Sequence, residues 1–188
     1  LGHSGADYET SQKAWKKGAQ MVTHLFNGMD PLHHRQPNLL AFALGDDAIY
    51  AELIADKIHV RPEIMKIALK CKAPDHLCIV SDALKVSNLP EGVYELSGQK
   101  VEVREGMAYL PSGTLAGSTF LLPQMLYNLR ELFSISLPEL AKMASFIPAQ
   151  LVGKEKELGS IEKGKIADVV VFDDHFQTKA TFINGVKV

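Results

Sequence analysis

The sequence predicts an α/β fold in which parallel strands alternate with helices. Three short apolar runs, at residues 19–23, 50–54 and 77–81, have the length and composition of buried parallel strands. Helical segments separate the runs, and the order strand, helix, strand builds a parallel sheet or barrel. Residues with useful chemistry follow each run, at the strand end where (β/α)8 barrels place their active sites. These observations fit a barrel of this type.

Two helices are expected between the strands. Residues 9–17 predict a polar-faced helix with Trp15 on its buried side, and Gly18 provides the stop. The next helix begins at Pro62, which suits a first turn, and continues through Ile64, Ile67, Ala68 and Cys71. Cys71 and Cys78 belong to no CxxC or Cys/His cluster, so we expect two reduced, mostly buried thiols.

The second half of the chain has a different pattern of predicted strands and helices. Residues 91–112 alternate in short β-prone pieces around Ser97-Gly98 and Glu105-Gly106, which predicts inserted hairpins. A helix is expected over residues 119–133, where apolar residues recur with helical period. A capping box at residues 136–139 starts another helix that runs to about residue 145. Residues 167–172 and 181–185 are β-prone again, and residues 153–164 form the natural domain boundary.

Composition and charge exclude several kinds of partner. The chain has 188 residues, of which 46% are hydrophobic, and its formal net charge is −2. This balance gives no electrostatic reason to expect nucleic acid or an anionic membrane surface as a partner. No apolar run approaches the roughly 18 residues that a membrane-spanning helix needs.

The candidate chemistry lies in three histidines and one aspartate. His3, His24, His59 and Asp82 each come at or just after the end of a strand-like run, with spacings of about one strand–helix unit. In a (β/α)8 barrel these strand ends converge on a single mouth. Three imidazoles and a carboxylate that meet there suit a divalent metal and a base that activates water.

Each of these residues also has an ordinary structural interpretation. A single His3 or His24 is more often a hydrogen-bonded structural histidine than a ligand, and Asp82 suits the N-cap of a following helix or turn. We expect His33 and His34 on a loop without ligand roles, and His76 and His175 at the surface. The hypothesis of a metal site therefore depends on the common register of the four residues.

Several motifs resemble those of a known family. They are Gly2-His3-Ser4, Thr23-His24-Leu25-Phe26-Asn27-Gly28-Met29, His33-His34-Arg35, Ala55-Asp56-Lys57-Ile58-His59, Ser81-Asp82-Ala83 and Leu115-Ala116-Gly117-Ser118. In this order they resemble the signatures of N-acetylglucosamine-6-phosphate deacetylases of the amidohydrolase superfamily. The resemblance implies the C-terminal half of an amidohydrolase-type (β/α)8 TIM barrel at residues 1–150. Residues 151–188 would form the C-terminal part of a small β-sandwich domain.

The resemblance also implies a role for each residue. His3 and His24 would bind a divalent metal, zinc or iron, as one or two ions. Asp82 would take a proton from the attacking water and give it to the departing amine, while His59 would stabilise the oxyanion that forms on the acetyl group. The residues implied in binding the amino-sugar phosphate are Asn27, Gly28, Arg35 and His59, with Leu115, Ala116 and Gly117 lining the cleft.

The sequence departs from the family pattern at a few positions. Gly28 replaces the usual Ala, Gln36-Pro37-Asn38 replaces a Glu-Pro-Gly type of segment, and Lys57 replaces the usual Gly of the Asp-x-x-His turn. The first two changes fall near the implied phosphate site and put its affinity in question.

The chain begins at Leu1, and the family's other metal ligands and first barrel strands would precede this residue. We therefore expect a portion of a longer enzyme, with little activity by itself. The resemblance further implies a cytoplasmic enzyme that forms a homodimer. Two alternatives stay open: another metal-dependent amidohydrolase acting on a cyclic amide, and a non-catalytic structural fragment.

Overall fold

A parallel sheet forms the base of the candidate site. The computed structural model describes residues 1–96 and 98–188. Strands β1 (Met21–Val22), β2 (Tyr50–Ile54) and β3 (Leu77–Val80) pair in parallel in this order. Leu1 lies alongside β1, since its amino group donates to the Met21 carbonyl at 2.7 Å and its carbonyl accepts from the Thr23 amide at 2.8 Å. The predicted strand–helix repeat is confirmed.

Three helices cover this sheet: α1 (Tyr8–Lys16), α2 (Leu39–Gly45) and α3 (Pro62–Lys72). Asp7 caps α1, because its carboxylate accepts from the Thr10 amide at 2.8 Å. Helix α2 was not predicted from the sequence. The buried core between the sheet and the helices includes Phe42, Leu53, Met65, Leu77 and Leu129.

The expectation of two mostly buried thiols is wrong for Cys71. Cys78 is buried in β3, whereas Cys71 is exposed on α3. The reason is the face that α3 turns inward. Its buried residues are Met65, Ala68 and Lys72. Ile64 and Ile67, at 38% and 46% exposure, lie with Cys71 on a neighbouring stripe of the helix.

The predicted hairpins form a four-stranded antiparallel sheet: β4 (Gly92–Leu96), β5 (Gln99–Arg104), β6 (Met107–Tyr109) and β7 (Leu115–Gly117). Ser97, expected in the first turn, lies outside the described residues. This sheet has its own buried cluster, made of Val86, Val101, Val103 and Ala108. Residues 115–117, implied by the resemblance to line the cleft, pair with β6 and form the edge strand of this sheet.

The later helices differ from prediction at their ends. Helix α4 (Leu122–Phe133) begins three residues after the expected start, because Leu121 has extended backbone and is the N-cap. Just before it, the Ser118 hydroxyl accepts from the Phe120 amide at 3.0 Å. The capping box forms, and the Ser136 amide donates to Glu139 Oε2 at 3.0 Å. Helix α5 (Leu137–Ala141) then continues through a π-helical segment (Lys142–Phe146) into α6 (Ile147–Leu151), well past residue 145.

The C-terminal segment forms an antiparallel sheet of β8 (Val169–Phe172), β9 (Thr178–Ile183) and β10 (Val186–Lys187). Phe176, in the turn between β8 and β9, is 8% exposed and packs with the main core. The division into domains at residue 150 stays a prediction. Among the described residues, no helix has the length and apolarity that crossing a membrane requires.

Candidate active site

Two histidines meet where β1 ends. His24 follows β1 directly, and His3 follows the segment that pairs with it. The centroids of the two rings are 4.6 Å apart, and the rings contact edge to face at 86°. Nδ1 of His24 is buried and has no hydrogen-bond partner among the described residues. A buried nitrogen without a partner is costly in a folded protein, which makes it a candidate ligand atom.

A carboxylate on β2 holds the backbone beside these histidines. Glu52 Oε2 accepts from the Thr23 hydroxyl at 2.6 Å and from the His24 amide at 3.2 Å. Glu52 was not predicted from the sequence as a site residue. The signal for it was a single charged residue within an otherwise apolar strand.

Backbone strain accumulates at the predicted chemical residues. His3, His24 and Asp82 have φ angles of 45°, 26° and 47°. Non-glycine residues adopt positive φ rarely, and such residues cluster at functional sites where the surrounding structure compensates the strain. The positive φ of Asp82 argues against this residue as a helix N-cap, because N-cap residues have extended backbone.

A buried aspartate orients the third histidine. Asp56 Oδ2 lies 2.6 Å from His59 Nδ1, and Asp56 Oδ1 accepts from the amides of Ile58 and His59, each at 2.8 Å. Burial raises the pKa of Asp56, but the hydrogen bonds from the His59 ring and these amides outweigh it. The pKa of Asp56 is therefore held below its usual value. No role was predicted for Asp56 from the sequence. Its position three residues before His59 is nevertheless typical of an Asp side chain that caps a turn.

Ser118 connects this pair to Asp82. The buried Ser118 hydroxyl donates to Asp56 Oδ2 at 3.2 Å, and the Ser118 amide donates to the Asp82 carbonyl at 3.0 Å. Gly117 permits this approach, since a Cβ at this position would lie 2.9 Å from Leu84 Cγ and 3.2 Å from the Asp82 carbonyl oxygen. The strand of Leu115, Ala116 and Gly117 thus lies beside Asp82.

The residues expected to hold the phosphate lie on one loop. Asn27 Nδ2 donates to the carbonyls of His24 and Leu25 at 3.3 and 3.2 Å. Gly28 has a φ of 64°, and a Cβ there would lie 2.6 Å from His3 Nδ1. Arg35 is exposed in the segment 31–37, where its amide donates to His33 Nδ1 at 3.3 Å. Asn27 and Gly28 are therefore close to the histidine pair, while the Arg35 guanidinium is free of ion pairs among the described residues.

The donor set fits part of a metal centre. Zinc and iron accept imidazole nitrogens as ligands, and His3 and His24 present two adjacent rings with an unpaired buried nitrogen. Within residues 1–96 and 98–188, no three His, Cys, Asp or Glu side chains come together as a ready metal cage. Two histidines without a third protein ligand fit an incomplete catalytic site, since such sites commonly use three.

Two cavities, of about 320 and 360 Å³, lie away from these residues. The first is lined by Tyr127 and His175, among others, and the second by Trp15 and Tyr50. The candidate site is instead an open edge of the parallel sheet.

A family comparison decides what the chain is related to. The model of the amidohydrolase family matches residues 1–188. The chain belongs to the amidohydrolase family. This amidohydrolase is 39% identical over 185 residues to an N-acetylglucosamine-6-phosphate deacetylase of Lysinibacillus sphaericus. The aligned region covers 98% of this chain and 48% of that protein. It is 36% identical over 162 residues to a putative N-acetylgalactosamine-6-phosphate deacetylase of Escherichia coli, with 86% of this chain and 96% of that protein covered.

The solved structures agree. The N-acetylglucosamine-6-phosphate deacetylase of Thermotoga maritima is similar with a TM-score of 0.94 and 34% identity, over 99% of this amidohydrolase and 51% of that chain. The expected resemblance and the half-barrel fold class are confirmed. The chain spans about half the length of the first of these relatives and of this structure.

Proposed function

We propose that the longer enzyme to which these 188 residues correspond hydrolyses the amide of N-acetylglucosamine 6-phosphate, giving glucosamine 6-phosphate and acetate. The 188 residues alone, which span about half the length of these relatives, should have little activity. The observation that carries the proposal is the contact of His3 and His24, with the buried, unpaired His24 Nδ1 at the carboxyl end of the sheet. The names of the relatives supply the substrate class.

His3 and His24 would hold the divalent metal, zinc or iron, as one or two ions. When bound, such a metal lowers the pKa of water and polarises a carbonyl oxygen. Glu52 contributes by fixing the strained backbone of His24 through its hydrogen bond to the amide. A ligand held in advance loses less entropy when the metal binds.

Asp82 is the proposed acid and base. It is exposed at the end of β3, and its backbone is held by Ser118. A carboxylate there accepts a proton from the attacking water and then delivers this proton to the departing amine, so one residue serves both halves of the reaction. His59, oriented by Asp56, would donate to the acetyl oxygen as negative charge develops on it.

The segment from Asn27 to Arg35 is the proposed phosphate site. A guanidinium matches a phosphate through two parallel hydrogen bonds, and Arg35 is exposed and unpaired among the described residues. The backbone at Gly28 and the Asn27 amide would complete the contacts. A cytoplasmic location belongs to the same proposal, because a phosphorylated sugar does not cross membranes readily. A homodimer is proposed with it only from the family resemblance.

The test measures amine release and metal content together. With N-acetylglucosamine 6-phosphate and its galacto epimer as substrates, Asp82→Asn is expected to lower kcat by about 10²–10⁴-fold without loss of metal. His24→Ala is expected to lose metal as well. The control is His175→Ala, since His175 is exposed in the C-terminal segment. Full turnover by Asp82→Asn, or hydrolysis of a dihydropyrimidine without inhibition by sugar phosphates, would overturn the proposal.

A further inference from the structure

We propose that Asp56 keeps one proton of His59 on Nδ1, so that His59 meets the substrate through Nε2 and donates there only as a doubly protonated ring. The second half of this inference rests on the proposed function, because it requires an acetyl oxygen at Nε2. Asp56 is therefore a positioning residue that acts through His59.

The two oxygens of Asp56 have separate tasks. Oδ1 accepts from the amides of Ile58 and His59 and thereby fixes the turn. Oδ2 lies 2.6 Å from His59 Nδ1 and also accepts from Ser118 at 3.2 Å. Asp56 is 1% exposed, so these four hydrogen bonds replace water around the carboxylate. The turn is capped by Oδ1 alone, so the contact of Oδ2 with the His59 ring is a separate role of this carboxylate.

The protonation of the ring follows from this arrangement. An ionised carboxylate is only an acceptor, so the ring nitrogen beside it must carry a proton. A neutral imidazole has one such proton, and Nε2 is then an acceptor. Nε2 can stabilise negative charge on an acetyl oxygen only if it gains a second proton.

The neighbouring contacts keep Asp56 from turning away. Ser118 lies between Asp56 and the carbonyl of Asp82, and the Asn128 side chain donates to the Ala55 carbonyl at 3.0 Å. The segments after β2 and β3, which carry His59 and Asp82, are thus joined through residues far apart in sequence. Loss of the ring contact alone would leave this framework in place.

Nitrogen-15 NMR of histidine-labelled protein at neutral pH shows which ring nitrogen of each histidine carries a proton. The signals of His59 are assigned as those that disappear in His59→Gln. We expect the proton on Nδ1 in the unmodified protein. Asp56→Asn can donate to Nδ1 and should move the proton to Nε2. In Ser118→Ala, the matched control, the proton should stay on Nδ1. A ring protonated on Nε2 but not on Nδ1 in the unmodified protein would overturn the inference, even if Asp56→Asn fails to fold.

The substrate-dependent half uses the metal-loaded Asp82→Asn variant with N-acetylglucosamine 6-phosphate. We expect the ring to show two protons in this complex. A neutral ring in a saturated complex would contradict the donor role. If the sugar phosphate does not bind at all, the proposed function and the donor role fail together. The assignment of the Nδ1 proton to Asp56 is decided separately, by the spectrum of the free protein.

Discussion

Lys57 adopts a backbone conformation that suits glycine. Its φ is 72°, within the turn that joins Asp56 to His59. A left-handed conformation costs an ordinary residue about 1–2 kcal/mol, whereas glycine adopts it freely but loses more entropy on folding. The family's usual glycine here therefore has a physical explanation.

We expect Lys57→Gly to raise the free energy of unfolding by about 0.5–1 kcal/mol, because relief of the strain exceeds the added entropy cost. Urea unfolding at neutral pH measures the change. Lys66→Gly, in the exposed face of α3, is the control and should lower the free energy of unfolding by about 1 kcal/mol. A destabilising Lys57→Gly would show that this turn is not strained.

Asp56 predicts a loss of stability in acid. Its pKa is lowered in the folded protein, so its contribution is present above the unfolded value of about 3.9 and is lost as pH falls through the lower folded value. The difference in unfolding free energy between the wild type and Asp56→Asn should therefore shrink below about pH 4. Comparing the two proteins cancels the contributions of other carboxylates. A difference independent of pH would contradict an ionised Asp56 in the folded protein.

The candidate residues were predicted from the sequence because each follows a strand-like run, and strand ends converge in a barrel; their roles stay a proposal. Their supporting residues were not found. Asp56 and Ser118 are 62 residues apart in sequence, so their hydrogen bond depends on the fold of β7 against the Asp82 segment. Local periodicity carries no information about such a contact.

At the scale of elements, Asn38 joins the loop at residues 30–37 to helix α2. Its Oδ1 accepts from the amides of Leu40 and Ala41 at 3.1 and 3.2 Å, and Nδ2 donates to the carbonyls of Asp30 and Pro31 at 3.0 and 2.9 Å. The side chain is therefore both an N-cap and an anchor for the loop.

Asn38→Ala should lower the free energy of unfolding by about 2 kcal/mol, because it removes the cap and leaves buried polar groups without partners. Asn38→Ser should recover part of this loss, since serine can cap the helix without anchoring the loop. Gln36→Ala, an exposed change in the same loop, should stay within about 0.5 kcal/mol. Thermal unfolding of the three variants gives the comparison, and equal stability of all three would refute the double role.

The elements best predicted were those with a strong local pattern. The apolar runs became β1, β2 and β3, and the capping box became the start of α5. Helix α2 has only 7 residues, which is too short for a clear helical period. Helix α5 passes into α6 through a π-helical segment at Lys142–Phe146, so no capping residue marks the expected end.

At the scale of the whole molecule, the sequence pattern predicts parallel strands but not how a sheet closes. The resemblance of the motifs supplied the barrel, and the structural match of 0.94 in TM-score confirms it over about half of the related chain. The parallel sheet of β1, β2 and β3 has three strands in the described residues, and the candidate site lies along the edge where these strands end. This arrangement explains why His3, His24 and Asp82 are open to solvent or only partly covered.

The two cysteines can report on unfolding of the whole chain. Cys78 is paired in register with Glu52, and burial with this neighbouring carboxylate raises the pKa of its thiol to about 12. Cys71 is exposed on α3. A short pulse of maleimide at neutral pH should therefore attach one label to each folded molecule and two to each unfolded one, because only the thiolate reacts. Intact mass after the pulse then counts folded and unfolded molecules without any engineered probe.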